Sequence, residues 1–260
     1  MPTLMTMTGR EVMPPIVLVA GGRMRLKIMP LPGERLPFRV NRTRAPLVAV
    51  ERLDNRVGPN FATFTLSAQT AGETEIQIEA ASGGAPLRVG VRVLGAISLP
   101  PASTVEGMLT RLLLAETRAP GGSGYSPGDA AESMRLMRVV LENRLATPSG
   151  RWASAGARAM GDVVRARGQF HGFEGYPDLP DGIEGLIGNM VEIANNSSDG
   201  RQPGMRAHVQ LAISTASGER PSDPTRQGLY WWRTEGSGAP GTGISRYKSV
   251  LGNTFYREGN

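Results

Sequence analysis

The apolar residues of this 260-residue chain change their spacing once, and the change falls at a pair of prolines. Between residues 15 and 95 they repeatedly show period two. Met24-Leu26-Ile28, Phe64-Leu66, Ile76-Ile78 and Leu87-Val89-Val91-Val93 alternate, and the apolar run Ile16 to Val19 precedes them. Period two sends successive side chains to opposite faces of a strand. The runs are short and are separated by turn-rich pieces, AGGR, LPGER, TAGE and ASGGAP, so this segment predicts a small antiparallel sandwich. In LGAISLPPAST (94–104) Pro100 and Pro101 break the pattern, and beyond it the spacing becomes helical. The expected organisation is therefore a β-sandwich over 1–95, a linker over 96–103 and a second, mainly α domain over 104–260. A chain of this length is long for one core and comfortable for two.

The helical part opens with TVEGMLTRLLLAETR, in which Val105, Met108, Leu109, Leu112 and Ala115 form one apolar stripe behind Ser103 or Thr104 as N-cap. Ser126-Pro127-Gly128-Asp129 is a second helix start, and that helix continues through Ala130, Met134, Met137, Leu141 and Leu145. Two more helical stretches, about 182–195 and 203–216, and a hairpin-like tail from Gly228 to Arg257 complete the domain.

Glu116 stands on the stripe of the first helix. At about 100° per residue the eleven steps from Val105 end about 20° from the starting direction, so the carboxylate points toward the buried side. RAPGGSGYSPG follows at once; its Pro120 and four glycines end the helix and form an open loop. A carboxyl half withdrawn from water beside such an opening is placed to keep a proton and to donate it, because desolvation disfavours the charged form. A glutamate paired with Arg135 or Arg138 at a helix crossing fits the same periodicity, which leaves both readings open.

Composition narrows the chemistry. Without cysteine there is no disulfide, thiolate metal site or cysteine nucleophile. With only His171 and His208, a histidine zinc site or a Ser-His-Asp triad is disfavoured, and carboxylate chemistry without metal or cofactor is expected. Most of the net charge of +6 comes from the first part, where residues 1–95 hold 12 Lys+Arg against 7 Asp+Glu. No Lys/Arg-rich run accompanies it, so a solvated basic face is preferred to a nucleic-acid site. Eleven of the fourteen Phe, Tyr and Trp lie after residue 96. No stretch reaches the roughly 20 apolar residues of a membrane span, and MPTLMTMTGREVMPP lacks the layout of a secretory signal.

Three separated motifs resemble the cell-wall hydrolase family that includes the spore-cortex-lytic enzymes. LLLAETR with the later VVLENRL is similar to the family's Ala-Glu helix end and its Val-Val-x-Asn-Arg helix. GDVVRARGQF is similar to its Asp-Val-Val-x-x-x-x-Gln-Phe segment, and DPTRQGLYWW with GNTFYRE to its Asp-Pro-Thr, aromatic and closing Phe-Tyr stretches. The pieces keep the family's order over residues 107–257. The resemblance implies a lysozyme-like domain with Glu116 as catalytic acid, and it places Asn143, Gln169, Phe170, Asp223, Thr225, Phe255 and Tyr256 at motif positions. His171 stands where the family has Ser or Cys, and Asn253 replaces its closing histidine. In the first part, FATFTLSAQTAGETEIQIEA resembles the closing strands of bacterial Ig-like domains, which implies a spacer or docking role.

The activity so implied is cleavage of the β-1,4 bond between N-acetylmuramic acid and N-acetylglucosamine in the peptidoglycan glycan strand. One carboxyl suffices for a lytic transglycosylase; a hydrolase needs a second, for which Asp223 is the candidate, with an Asp-Pro turn as its plainer reading. Candidate sugar contacts are Tyr125 in the Gly-rich loop, Gln169, Thr225, Tyr230, Trp232 and Tyr256. Strand alternation sends Tyr230 and Trp232 to one side and Trp231 to the other, so one set lines a groove and the other joins the core. His171 is read as incidental, and Asn143 and Arg144 as ties between a helix end and a loop. The wider expectation is an exported antibacterial effector acting in periplasm or cell wall. Residues 1–95 would dock on a secretion apparatus, and an immunity protein would cover the Glu116 cleft. The rival reading is a wall-binding module without turnover.

Overall fold

A computed structural model describes residues 2–259 other than 33–35, 43–45, 59–60 and 153; part of the expected LPGER turn thus lies outside the described residues. Two compact units result, one of Met1–Ile97 with Asn195–Gln202 and one of Ser98–Ala194 with Pro203–Asn260.

The first unit holds eight strands: β1 (Thr3–Thr6), β2 (Ile16–Val19), β3 (Arg23–Met29), β4 (Phe38–Arg42), β5 (Val48–Gly58), β6 (Phe61–Ala68), β7 (Gly72–Ala80) and β8 (Leu87–Leu94). They form two four-stranded sheets, ordered β1-β3-β6-β5 and β2-β8-β7-β4. Period two explains the core: Leu26, Ile28, Phe64 and Leu66 from one sheet and Ile76, Ile78, Val89, Val91 and Val93 from the other belong to one buried cluster. The expectation of a purely antiparallel sandwich is corrected, because β2 pairs with β8 in parallel. Alternation fixes which side chains face inward and is blind to strand direction. Residues 195–202 complete the unit. Asn195 both accepts from the Ile97 amide (2.8 Å) and donates to the Ile97 carbonyl (2.9 Å), and Ser197 Oγ accepts from Val19 N (2.7 Å).

The second unit contains α1 (Val105–Glu116), α2 (Pro127–Ala146), α3 (Met160–Val164), most of α4 (Asp181–Asn195) and α5 (Gln202–Ser217), and the strands β9 (Leu229–Thr234), β10 (Ile244–Val250) and β11 (Asn253–Glu258). Thr104 Oγ1 accepts from Gly107 N and Ser126 Oγ from Asp129 N, both at 3.0 Å, which starts α1 and α2 where their caps stand. The three strands make one antiparallel sheet with β11 in the middle, and α2 packs against β9.

This overturns the expected succession of an all-β sandwich and a mainly α lysozyme-like domain. The described chain is mainly β, with eleven strands in three sheets, and its C-terminal part is a full sheet rather than a hairpin-like tail. Hydrophobic spacing missed β10 for a physical reason. Of ISRYKSV only Val250 is buried, and the register slips between Arg246 and Lys248, so this edge strand has no apolar alternation to read.

The single-stripe reading of α1 is corrected as well. Val105, from which the direction of Glu116 was reckoned, is 48% exposed, whereas an unbroken run from Gly107 to Thr110 and from Leu112 to Leu114 is buried. Glu116 is half-buried because of the sheet beside it.

Candidate active site

Glu116 is the last residue of α1, and two strands of the C-terminal sheet reach it. From β9 the indole Nε1 of Trp232 donates to Glu116 Oε2 (3.2 Å), and from β11 the Asn253 side chain donates to the Glu116 backbone carbonyl (3.1 Å). Trp232 pairs with Phe255 across these strands, two residues beyond Asn253, so Asn253 and Phe255 share a face. Burial raises the Glu116 pKa above its ordinary value, and the Trp232 hydrogen bond and the charge of His171 offset part of that rise. The alternative arginine partners are engaged elsewhere, Arg135 with Glu132 (2.9 Å) and Arg138 with Glu142 (2.7 Å).

Trp232 lies stacked on Phe170, with centroids 4.9 Å apart and planes inclined by 26°. Behind Phe170 runs the guanidinium of Arg144, 5.5 Å from the ring centroid. Arg144 is 3% exposed, and burial pushes its pKa down to about 10. It donates from Nε to the Tyr230 carbonyl (2.6 Å) and from Nη1 to Gln169 Oε1 (3.0 Å), so one buried cation fixes both the Gln169-Phe170 segment and β9. Gln169 therefore stands beside the site with its carbonyl oxygen already committed.

Asp223 is bound up in its own loop. Its Oδ1 accepts from Thr225 N (2.7 Å) and Thr225 Oγ1 (2.8 Å), and its Oδ2 from Leu229 N (2.9 Å) and the Asn143 side chain. Desolvation pushes its pKa up, but the hydrogen bonds from Leu229, Thr225 and Asn143 outweigh it and the net direction is down. An acceptor so saturated organises the turn into β9, and Thr225 serves that turn with it.

Tyr230 and Trp232 do not share a side. Tyr256 pairs with Trp231 while Arg257 pairs with Leu229, so β9 carries one residue more than β11 between these pairs, and Tyr230 is the bulge. The ring of Tyr230 stacks on Trp152 (4.1 Å, 10°) and folds against Gly228, where a β-carbon would come 2.5 Å from it. Tyr256 is buried in the same cluster with Trp152 and Trp231 and donates to the Gly238 carbonyl (2.8 Å). Both tyrosines thus belong to an aromatic core apart from Glu116.

Tyr125 is also tied, its hydroxyl 3.3 Å from His208 Nδ1. His208 is buried, and desolvation pushes its pKa down to about 4. In the loop that follows Glu116, Arg118 donates to the Ser123 carbonyl (2.6 Å).

The residues brought together are thus Glu116, Trp232, Phe170, Gln169 and Asn253, and the charge of His171 acts on Glu116. Sequence alone assigns no role to Asn253 and reads His171 as incidental, whereas Arg144, read as a tie between a helix end and a loop, makes such a tie to Gln169 and to the carbonyl of Tyr230. Asn253 had one usable signal, its position two before Phe255 on a strand. His171 had one too, as the exposed residue after a buried aromatic. Such a site has the parts for proton transfer at an apolar, aromatic-walled surface. Among the described residues no group of three His, Asp or Glu is placed to hold a metal ion, and no helix is long and apolar enough to cross a membrane.

No family model and no curated protein matches the sequence. Solved structures with some likeness include domains 4 and 5 of the S-layer protein SbsC, at 19% identity over 36% of this chain and 54% of that one, with a TM-score of 0.28. The chain spans about half the length of that structure. Another is the titin M10 and obscurin-like 1 Ig complex, at 17% identity over 38% of this chain and 100% of that one, with a TM-score of 0.22. Likeness at this level says nothing about what the chain does.

Proposed function

We propose that the chain cleaves the β-1,4 bond between N-acetylmuramic acid and N-acetylglucosamine in peptidoglycan, with Glu116 as its single acid/base. The observation that carries this reading is the half-buried Glu116 carboxyl, biased toward its acid form and held by the Trp232 indole. The motif resemblance over residues 107–257 supplies the substrate class.

In the reaction, the Glu116 proton passes to the glycosidic oxygen as the bond from that oxygen to muramic C1 breaks, and the N-acetylglucosamine end leaves as an alcohol. The Glu116 carboxylate then takes the proton of the muramic 6-hydroxyl, whose oxygen bonds to C1. The product is a 1,6-anhydro sugar, no water is consumed, and Glu116 ends protonated as it began. Help of this kind contributes about 10²–10⁴-fold, and binding supplies the remainder. The engagement of Asp223 by Thr225, Leu229 and Asn143 favours this one-carboxylate route over hydrolysis.

A wall substrate places the action in periplasm or cell wall. In the effector reading, the unit that includes Met1–Ile97 docks on a delivery apparatus, and an immunity protein covers Glu116.

Mass spectrometry of purified peptidoglycan, incubated with the wild-type chain and with Glu116→Gln, tests the proposal. Anhydromuropeptides from the wild type alone are expected. Reducing-end products would replace the transglycosylase by a hydrolase. Intact glycan with folded protein would leave a wall-binding module.

A further inference from the structure

We infer that His171 is a positioning residue for Glu116, presented beside the carboxyl by the 168–174 loop so that its charge supports Glu116 in the base step; this rests on the acid/base reading above.

The loop is built around that presentation. Gly168 and Gly172, with φ of +71° and +82°, bracket it. The carboxylate of Glu174 closes it, accepting from Gly168 N at Oε1 (3.3 Å) and from Gly172 N at Oε2 (2.9 Å). Gly172 is favoured twice over, since a β-carbon there would meet Ile183 Cδ1 at 2.6 Å and the positive φ is one that L side chains rarely adopt. Phe170 and Phe173 are buried, at 3% and 0%, while His171 between them is exposed.

Phe170 fixes the location, because its ring stacks on Trp232, the residue that holds Glu116 Oε2. His171 thus stands in a loop anchored by two buried aromatics, next in sequence to the ring that stacks on the indole binding the acid. Its charge acts on the Glu174 carboxyl as well as on that of Glu116. The groups acting on the Glu116 carboxyl are the Trp232 N–H from β9 and His171; Asn253 from β11 acts on the backbone carbonyl of Glu116.

The chemistry needs such a group. After donating its proton, Glu116 must carry a negative charge in a half-buried position until the 6-hydroxyl gives a proton back. Burial opposes that state and a neighbouring positive charge favours it. The Trp232 N–H adds a hydrogen bond to the same carboxyl.

The test is a carbon-13 NMR titration of glutamate carboxyls in the full chain without substrate. The Glu116 signal is assigned by its loss in Glu116→Gln, and the titration is repeated in His171→Gln and His171→Lys. Glu116 should titrate at higher pH in His171→Gln than in the wild type, and at or below the wild-type pH in His171→Lys. Formation of anhydro product should follow. In His171→Gln the alkaline limb moves up in pH, because Glu116 keeps its proton longer, and the maximal rate falls several-fold as the base step slows. His171→Lys should restore both. A Glu116 titration unmoved in both variants overturns the inference even if the chain cuts glycan. A titration that moves as expected in a chain that leaves glycan intact overturns the cleavage reading and with it the catalytic use of the coupling.

Discussion

Trp232 gives its one ring N–H to Oε2 of Glu116 and its ring face to Phe170, so the residue that anchors the carboxyl is itself held from the other side. The indole must keep its orientation for the hydrogen bond to persist, and the stack supplies it. Phe170 is in turn backed by Arg144, which also binds Gln169 and the carbonyl of Tyr230. The Glu116 environment is thus assembled from α1, the end of α2, the 168–174 loop and the C-terminal sheet.

Glu116→Gln should make the protein more stable at neutral pH. Burial raises the carboxyl pKa, so the folded chain binds this proton more tightly than the unfolded one. The stability linked to it is fully present below the ordinary carboxyl value of 4.5 and is lost as pH rises through the folded value. Gln carries no such charge and keeps an oxygen for the Trp232 N–H. Thermal unfolding at pH 7.5 should favour the variant by about 0.5–2 kcal/mol, a usual gain from relieving a functional site, and the two proteins should converge near pH 4. A wild type that is the more stable at pH 7.5 would contradict the raised pKa.

Asp223→Asn should damage the fold and leave the product type alone. The amide nitrogen cannot accept, so whichever side it takes leaves two donors without their acceptor, Thr225 N and Oγ1 on one side or Leu229 N and the Asn143 side chain on the other. An orphaned donor of this kind costs about 1–3 kcal/mol. The sign with pH is opposite to that of Glu116. The folded pKa is lowered, so the stability exists above the unfolded value and disappears as pH falls through the folded one. Urea melts at pH 7 and pH 3 should show the deficit at the first and a smaller one at the second. A shift from anhydro to reducing-end products in this variant would instead give Asp223 a direct chemical role.

Gly107→Ala should be costly although it raises helix propensity. A β-carbon at Gly107 would lie 2.0 Å from the Pro101 carbonyl oxygen, backbone that has no rotamer to yield. Overpacking costs about 1–3 kcal/mol, against a gain of about 1 kcal/mol for Ala over Gly in a helix. Circular dichroism melts decide the sign, and a variant at or above the wild-type Tm would mean that α1 shifts freely away from Pro101.

Local chemistry was legible in the sequence where one residue carries it. The caps Thr104 and Ser126 and the inward positions of β6 to β8 could be read from residue type and spacing. Direction and exposure were not. The parallel pairing of β2 depends on a partner some 75 residues away, β10 is polar because it is an edge, and the bulge at Tyr230 breaks the alternation from which its facing was inferred. Glu116 was found by an argument whose reference, Val105, is exposed. Its burial comes from a sheet that hydrophobic spacing did not show. The effect of His171 escaped for the same reason, since it joins residues distant in sequence.

Ser197→Ala should destabilise the first unit from a position in the second half of the chain. Ser197 Oγ is the acceptor for the amide of Val19, a residue with no exposure, and a β-carbon on Gly22 would sit 2.8 Å from that oxygen, so backbone closes around the bond. Water cannot readily replace the hydroxyl, and the expected cost is about 1–3 kcal/mol. Ser198 provides the control. It donates to the Arg23 carbonyl (2.8 Å) but is exposed, so water can take over, and Ser198→Ala should change stability by less than about 0.5 kcal/mol. Native-state hydrogen exchange makes the comparison local: the Val19 amide should lose protection in Ser197→Ala and keep it in Ser198→Ala. Equal protection in the two variants would mean that β2 holds its place through β8 alone, and that residues 195–202 accompany the first unit without stabilising it.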